Sequence, residues 1–235
     1  MRVAKSGGAL LALMMAAGCG QGGEAPSADA AAPAPSAAEA SLSETGPSDT
    51  GPSETGAPAE AVWSLDSAAS RVGFVSIKSG EVIETHYFPG LSGELAPSGE
   101  AVVEIPLDQV ETKVDIRNER MREMFFETGD YPAARIRTTV AAQDFADLPI
   151  GGRRQTEIDA VLSLHGVEAP VSADVFVTRI AETRVEVASA EPVVLFLSDF
   201  NLEAGLEMLR EVAGLPSIVP SSPVTFTFVF DAQGA

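Results

Sequence analysis

A single cysteine, Cys19, occurs in the 235 residues, so no disulfide within the chain can staple the fold. Histidine is nearly as scarce. His86 and His165 stand far apart, with no metal-ligand spacing to each other or to Cys19. The chain has no Gly-x-Ser-x-Gly elbow and no phosphate-cradling glycine loop, which removes the commonest signatures of hydrolases and nucleotide enzymes. Basic residues are few: 15 Lys and Arg face 34 Asp and Glu, for a formal net charge of −19. A surface of that sign repels phosphate backbones, so a DNA or RNA partner is excluded.

What is present begins with location. Arg2 and Lys5 precede the uncharged apolar run Ala9–Ala17, which has the length of a signal-peptide core and is too short to span a bilayer. Small residues, Ala16-Ala17-Gly18, lead directly into Cys19. The arrangement resembles a lipobox, which implies cleavage before Cys19 and acylation of its thiol. Residues 1–18 are therefore expected to be a lipoprotein signal peptide, and Cys19 the site of lipid attachment. Several acyl chains anchor stably, because each buried CH₂ contributes about 0.8 kcal/mol. Gly20, rather than Asp, follows the cysteine, and the expected location is the outer membrane with the domain facing the periplasm.

Residues 19–62 are composed almost wholly of Ala, Pro, Ser, Gly, Thr and Glu, without an aromatic or basic residue. A five-residue near-repeat begins at Glu44, Asp49 and Glu54. Such a segment has nothing to bury against the entropy of ordering, so it reads as a disordered tether. Random-coil scaling gives it an rms reach on the order of 40 Å.

The third segment, 63–235, carries 27 acidic and 13 basic residues and is long enough to bury a core. It reads as short strands: 71–77, 82–88, 101–105, 134–140, 157–164, 171–177, 184–188, 193–197 and 224–230. Ile158, Ala160, Leu162 and Leu164 alternate with Glu157, Asp159 and Ser163, and Phe226, Phe228 and Phe230 alternate with Thr225 and Thr227. Alternation over many short strands implies one buried and one wet face, hence an all-β antiparallel barrel or sandwich. Asp115–Phe126 has helical composition. A second helix, capped by Asn201 and ending at Gly214, carries the stripe Leu202, Leu206, Leu209 and Ala213.

An ordered set of short motifs now identifies a family. Trp63-Ser64-Leu65-Asp66 and Ser70-Arg71-Val72-Gly73-Phe74 open the domain. Val110-Glu111-Thr112, Arg117-Asn118, Met121-Arg122, Phe125-Phe126 and Tyr131-Pro132 follow in order, then Leu162-Ser163-Leu164-His165-Gly166 and Pro170-Val171. This set resembles the YceI-like family, polyisoprenoid-binding, lipocalin-like domains of bacterial envelopes, and the resemblance runs from Trp63 to Phe230. It implies an antiparallel barrel of about eight strands with one or two short helices, enclosing a long apolar lipid such as a polyisoprenoid or isoprenoid quinone. It implies neither a cofactor nor catalysis. The chain departs from the family at Ala69, where relatives often carry His. It departs again at Asn118, Arg120 and Met121, where they often carry Asp and a further His, and the Met121–Phe125 spacing is about one residue short. Those positions leave head-group preference open, whereas a hydrocarbon lumen survives such changes.

Candidate lumen residues are Phe74, Val103, Ile105, Ile158, Leu162, Phe226 and Phe228 on strands, with Met121, Phe125 and Phe126 on the first helix closing one end. Each could instead simply pack the core. An isoprenoid tail needs walls nearly free of hydrogen-bonding groups, since a buried unpaired polar atom costs a few kcal/mol. Arg117 and Arg120, with Arg122, could receive an anionic head group, or could pair with Asp115, Glu119 and Glu123 on their own helix. His165 reads as a turn residue, and Asp144 and Asp147 as solvated loop carboxylates. Two other classes stay open: a non-catalytic envelope scaffold with a packed barrel, and a lipid-modifying enzyme with a polar group deep in the lumen. Cys19→Ser tests the anchor: the variant should lose its acyl chains and remain uncleaved or enter the soluble fraction. Wild-type partitioning into detergent with the membranes would refute the lipobox.

Overall fold

The computed structural model describes residues 61–233. The expected signal peptide, Cys19 and the tether up to residue 60 lie outside the described residues.

Eleven antiparallel strands form one sheet that closes on itself. In chain order they are β1 (Val62–Leu65), β2 (Arg71–Lys78), β3 (Val82–Phe88), β4 (Ser92–Leu95), β5 (Glu100–Pro106) and β6 (Ala133–Thr139). Then follow β7 (Arg153–Leu164), β8 (Val167–Ala181), β9 (Arg184–Ser189), β10 (Val193–Phe196) and β11 (Ser221–Gln233). The order around the wall is β1-β4-β5-β6-β7-β8-β9-β11, and β1 pairs β11 to close it. The closed barrel therefore has eight strands, with extra strands beside it.

The extra strands continue bent ones. β11 pairs β1 through residues 230–233 and β2 through residues 224–227, both along one edge. Along its other edge it pairs β9 and then β10. Between β1 and β2 the chain turns at Asp66, whose Oδ1 accepts hydrogen bonds from the Ala68 and Ala69 amides. Ser70 repairs the interrupted ladder, because its Oγ accepts the buried Val229 amide at 2.9 Å. Arg184 then ties this end together, donating to both oxygens of Asp231 and to Asp66.

All nine expected strands are present. β1 and β4 were not expected, for they are four residues long and β4 is Ser-Gly-Glu-Leu, with no alternating apolar signal. β8 runs past Pro170, which pairs Val161 of β7, while β9 begins to pair β8 only at Val175. A proline survives in a strand where one side lacks a ladder.

One end of the barrel holds both helices. α1 (Asp115–Arg120) continues into a π turn over Met121–Phe125, sealed by the Phe126 amide on the Met121 carbonyl at 2.8 Å. α2 (Glu203–Val212) packs across that turn. The expected cap is corrected: Asn201 sits in the left-handed region at φ 55° and ends a 3-10 turn over Leu197–Phe200. Leu202 precedes α2 without a side-chain cap. Asparagine tolerates that conformation because its short polar side chain bonds locally. Gly214, at φ 62°, ends α2, with the Gly214 amide on the Glu211 carbonyl and the Leu215 amide on the Arg210 carbonyl.

Gly205 lets α2 approach. A Cβ there would lie 2.7 Å from the Met124 carbonyl oxygen and 2.9 Å from Phe125 Cα, both backbone atoms that cannot swing away. Gly205→Val should therefore cost about 1–3 kcal/mol in denaturant unfolding. Gly129→Ala, where a Cβ meets nothing within 4 Å, should change stability by less than about 0.5 kcal/mol. Equal effects would show that α2 does not depend on this contact.

Candidate ligand cavity

The barrel interior is not filled. A cavity of about 720 Å³ runs through it, within the ~300–1,000 Å³ range of ligand sites and far above ordinary packing voids. Inward-facing strand residues wall it, as the period of two requires. Phe74 comes from β2, Val103 and Ile105 from β5, Ile158 and Leu162 from β7, and Phe226 and Phe228 from β11. Met121, Phe125 and Phe126 reach it from the π turn. All ten residues named as lumen candidates thus meet at one cavity, and Arg117 and Arg120 line it as well.

The wall is uneven. Phe226 and Phe228 stack with centroids 4.7 Å apart. A chain of rings runs from Phe74 to Phe88 at 5.3 Å, to Phe126 at 5.7 Å and on to Phe125 at 4.7 Å. Four large apolar side chains line the cavity yet are solvent-exposed: Val114 and Ile116 of the α1 region, Phe196 of β10 (55% exposed) and Val212 of α2. They mark an opening at the helical end.

Polar groups were missed by sequence reasoning, although the alternation contains them. Extending the Phe74 face along β2 gives Ser76 and Lys78. Extending the Phe88 face back along β3 gives His86 and Glu84. The register places Val72 opposite Phe88, Phe74 opposite His86 and Ser76 opposite Glu84. The inner face of this hairpin therefore passes from hydrocarbon through neutral polar groups to ions, toward its tip. Ser76, Lys78 and His86 line the cavity.

Glu84 organises the ionic layer. Arg117 donates to both its oxygens, at 3.1 and 3.2 Å, and Lys78 also pairs with it. The intrahelical partners considered for Arg117, namely Asp115, Glu119 and Glu123, are not the ones it takes. Arg122 turns away to the Asp108 carbonyl at 3.5 Å. Arg120 makes no ion pair among the described residues. At the opposite end Asp144 and Asp147 are exposed, as expected of solvated loop carboxylates, and Asp147 pairs with Arg154 at the surface at 3.0 Å.

The two histidines do different things. His165 and Gly166 both have positive φ, 51° and 76°, and form the two-residue turn between β7 and β8. His165 Nε2 lies 2.8 Å from Glu127, and its ring packs on Tyr131. His86 is 4% exposed and sits 2.9 Å from the Ser76 hydroxyl through Nε2, with Nδ1 unpartnered among the described residues. Burial first, then the charges of Arg117, Lys78 and Lys113, lower its pKa to about 4. Burial and Arg117 lower that of Lys78 as well. Among the described residues there is no cluster of three or more metal-binding side chains, and no helix is long and apolar enough to cross a membrane.

Because His86 titrates lower folded than unfolded, the unfolded chain binds more protons between its ordinary value of 6.5 and about 4. Its contribution is intact above pH 6.5 and is lost as pH falls toward 4, by up to about 3 kcal/mol. In urea melts across this window, His86→Phe should flatten the pH slope. An unchanged slope would mean that His86 is accessible to protons in the fold.

Comparison with known proteins agrees with this architecture. The model of the YceI-like domain matches residues 63–230. A polyisoprenoid-binding domain from Saccharophagus degradans, implicated in plant cell wall breakdown, is similar in structure, with a TM-score of 0.71 and 38% identity. The match covers 73% of this chain and 98% of that one. BcnA of Burkholderia cenocepacia shares the fold at a TM-score of 0.54 and 19% identity, over 70% of this chain and 98% of its own. No curated protein matches the chain. A match spanning the whole described barrel, together with that structural likeness, makes the chain a member of the YceI-like family.

Proposed function

We propose that this chain carries a long apolar lipid, a polyisoprenoid or isoprenoid quinone, in the barrel lumen, and does so as an envelope lipoprotein. The observation that carries the reading is the cavity of about 720 Å³, walled by aliphatic and aromatic side chains inside a closed barrel and opening at one end. A flexible hydrocarbon fits such a space, since it asks nothing of the wall but contact. The similarity to a polyisoprenoid-binding domain at 38% identity supports the same ligand class.

The anchor belongs to the same proposal. Acylated Cys19 would hold the domain at the outer membrane, facing the periplasm, with residues 19–62 as the tether. A carrier so placed has no need of catalysis. The Ser76–His86 contact has the spacing of a nucleophile and its base, yet its chemistry is wrong for one. An imidazole with a pKa of about 4 is a weak base. Its Nδ1 is buried without an orienting partner among the described residues, and Ser76 lies within a paired strand.

Lipid extracted from the full-length protein, purified from its own membranes, should be a long apolar chain at stoichiometric yield by mass spectrometry. Phe226→Leu with Phe228→Leu keeps the wall apolar and changes its volume, so the retained tail length should shift while the circular dichroism spectrum holds. Trp63 is the sole tryptophan and lines the cavity, so its emission should change when farnesol is titrated into delipidated protein. Lipid-free protein with silent Trp63 emission would favour the scaffold reading instead.

A further inference from the structure

Three of the four charged side chains that line the lumen gather where the β2–β3 hairpin meets α1; the fourth, Arg179, lies among the Leu148, Ala181 and Glu182 carbonyls. Lys78, Arg117 and Arg120 all line the cavity there. Glu84 is the carboxylate that answers them, shared between Arg117 and Lys78. Three cations against one carboxylate leave a positive excess at this place, in a domain where acidic residues outnumber basic ones by 27 to 13. The acids of α1 do not cancel it: Asp115 and Glu119 are exposed and make no ion pair with Arg117 or Arg120 among the described residues. Lys78 and Arg117 are also largely withdrawn from water, with side chains 16% and 28% exposed.

Half-buried cations in excess oppose folding through desolvation and mutual repulsion. The depressed values of Lys78 and His86 show that opposition, since Arg117 contributes to both. An arrangement that costs stability where an apolar cavity meets solvent has the character of a binding site for opposite charge. The hairpin register also supplies an order: Val72 with Phe88 first, then Phe74 with His86, then Ser76 with Glu84, and Lys78 last. An amphiphile lying along it would place hydrocarbon, neutral linkage and charge in that sequence.

We propose that Lys78, Arg117 and Arg120 form an anion subsite at the end of the lumen, which takes the phosphate-type head of a lipid whose tail fills the cavity. Glu84 is the counter-ion that holds the cations together while the site is empty and yields part of their hydrogen bonding to the head. This inference rests on the lumen being a lipid site. It goes further by selecting anionic lipids over neutral quinones or alcohols of the same tail.

The test uses the delipidated full-length chain and three probes: farnesyl monophosphate, farnesol and inorganic phosphate. Trp63 emission reports the lipids, and competition reports phosphate. At low ionic strength farnesyl monophosphate should bind about ten-fold or more tightly than farnesol, with charge-assisted hydrogen bonds making the difference. Added salt should erode that ratio. Arg117→Gln with Arg120→Gln should bring the two affinities together. Arg120→Gln alone serves if the double variant does not fold, because Arg120 makes no ion pair among the described residues. Glu84→Gln should raise the ratio several-fold, whereas a merely structural latch would weaken both ligands alike.

The two histidines give an independent readout by NMR. Farnesyl monophosphate should raise the pKa of His86 from about 4, farnesol should not, and the ring resonances of His165 at the β7–β8 turn should be perturbed by neither. Equal affinities for the phosphate and the alcohol, with His86 unmoved, overturn the anion subsite and leave the lumen reading intact. Failure of both lipids to bind overturns both. Inorganic phosphate binding as tightly as the prenyl phosphate overturns the assignment to a lipid head.

Discussion

Everything in this domain depends on the closure of the sheet through β11. That strand is hydrogen-bonded along both edges, to β9 and β10 on one and to β1 and β2 on the other. Closure removes strand edges from the eight-strand ring, leaving them only on the extra strands β3 and β10, and obliges every second residue of the ring to face a common axis. The inner faces cannot all meet at that axis, so the barrel must either grow side chains long enough to fill it or keep a lumen. Its closing end is secured by Arg184, which reaches Asp231 on β11 and Asp66 at the bend after β1. Burial and closure thus fix the wall, and the bends let β1 with β2, β3 with β4 and β9 with β10 act as three longer strands.

The choice between filling and keeping the lumen is made by residue size. Ala101, Ala134, Ala160 and Ala173 contribute to one side of the cavity from β5 to β8, while Phe74, Phe88, Phe226 and Phe228 contribute to the other. Set among the Val, Ile and Leu of β5 to β8, these alanines add little volume to the wall where the cavity lies. Dispersion is therefore incomplete in the empty protein. A hydrocarbon that entered would supply the missing contacts and stabilise the fold by mass action. In that sense the proposed ligand is a part of the core that the sequence does not encode.

The wall was legible from residue alternation alone, and the reason is physical. Period two is imposed by the strand backbone, and a barrel with a dry inside and a wet outside reads it out at every position. That is why Ile158, Leu162, Phe226 and Phe228 could be placed on the inner face without coordinates. β1 and β4 escaped because four residues carry too little periodicity, and because β4 holds Gly93 for backbone reasons: a Cβ there would lie 2.7 Å from the Val102 carbonyl oxygen. Asn201 misled because the same short polar side chain that caps helices also tolerates positive φ.

The ionic layer was harder to see, for its partners are chosen in three dimensions. On α1 taken alone, Arg117 has Asp115 and Glu119 as neighbours, and a local pairing is the natural expectation. The segment from Leu107 to Phe126 instead lies beside the free edge of β3, where the Glu111 amide bonds the Tyr87 carbonyl and the Tyr87 amide bonds the Glu111 carbonyl. Buried Asn118 fixes the helix there by accepting from the Thr112 amide at 2.8 Å and the Thr112 hydroxyl at 2.6 Å. That brings Arg117 over Glu84, thirty-three residues away in sequence. Extending the inner face of the hairpin by two residues, from Phe74 to Ser76 and Lys78 and from Phe88 to His86 and Glu84, would have revealed the polar gradient. Reading such a face to its end, past the point where it stops being apolar, is what locates the charged edge of a hydrocarbon lumen.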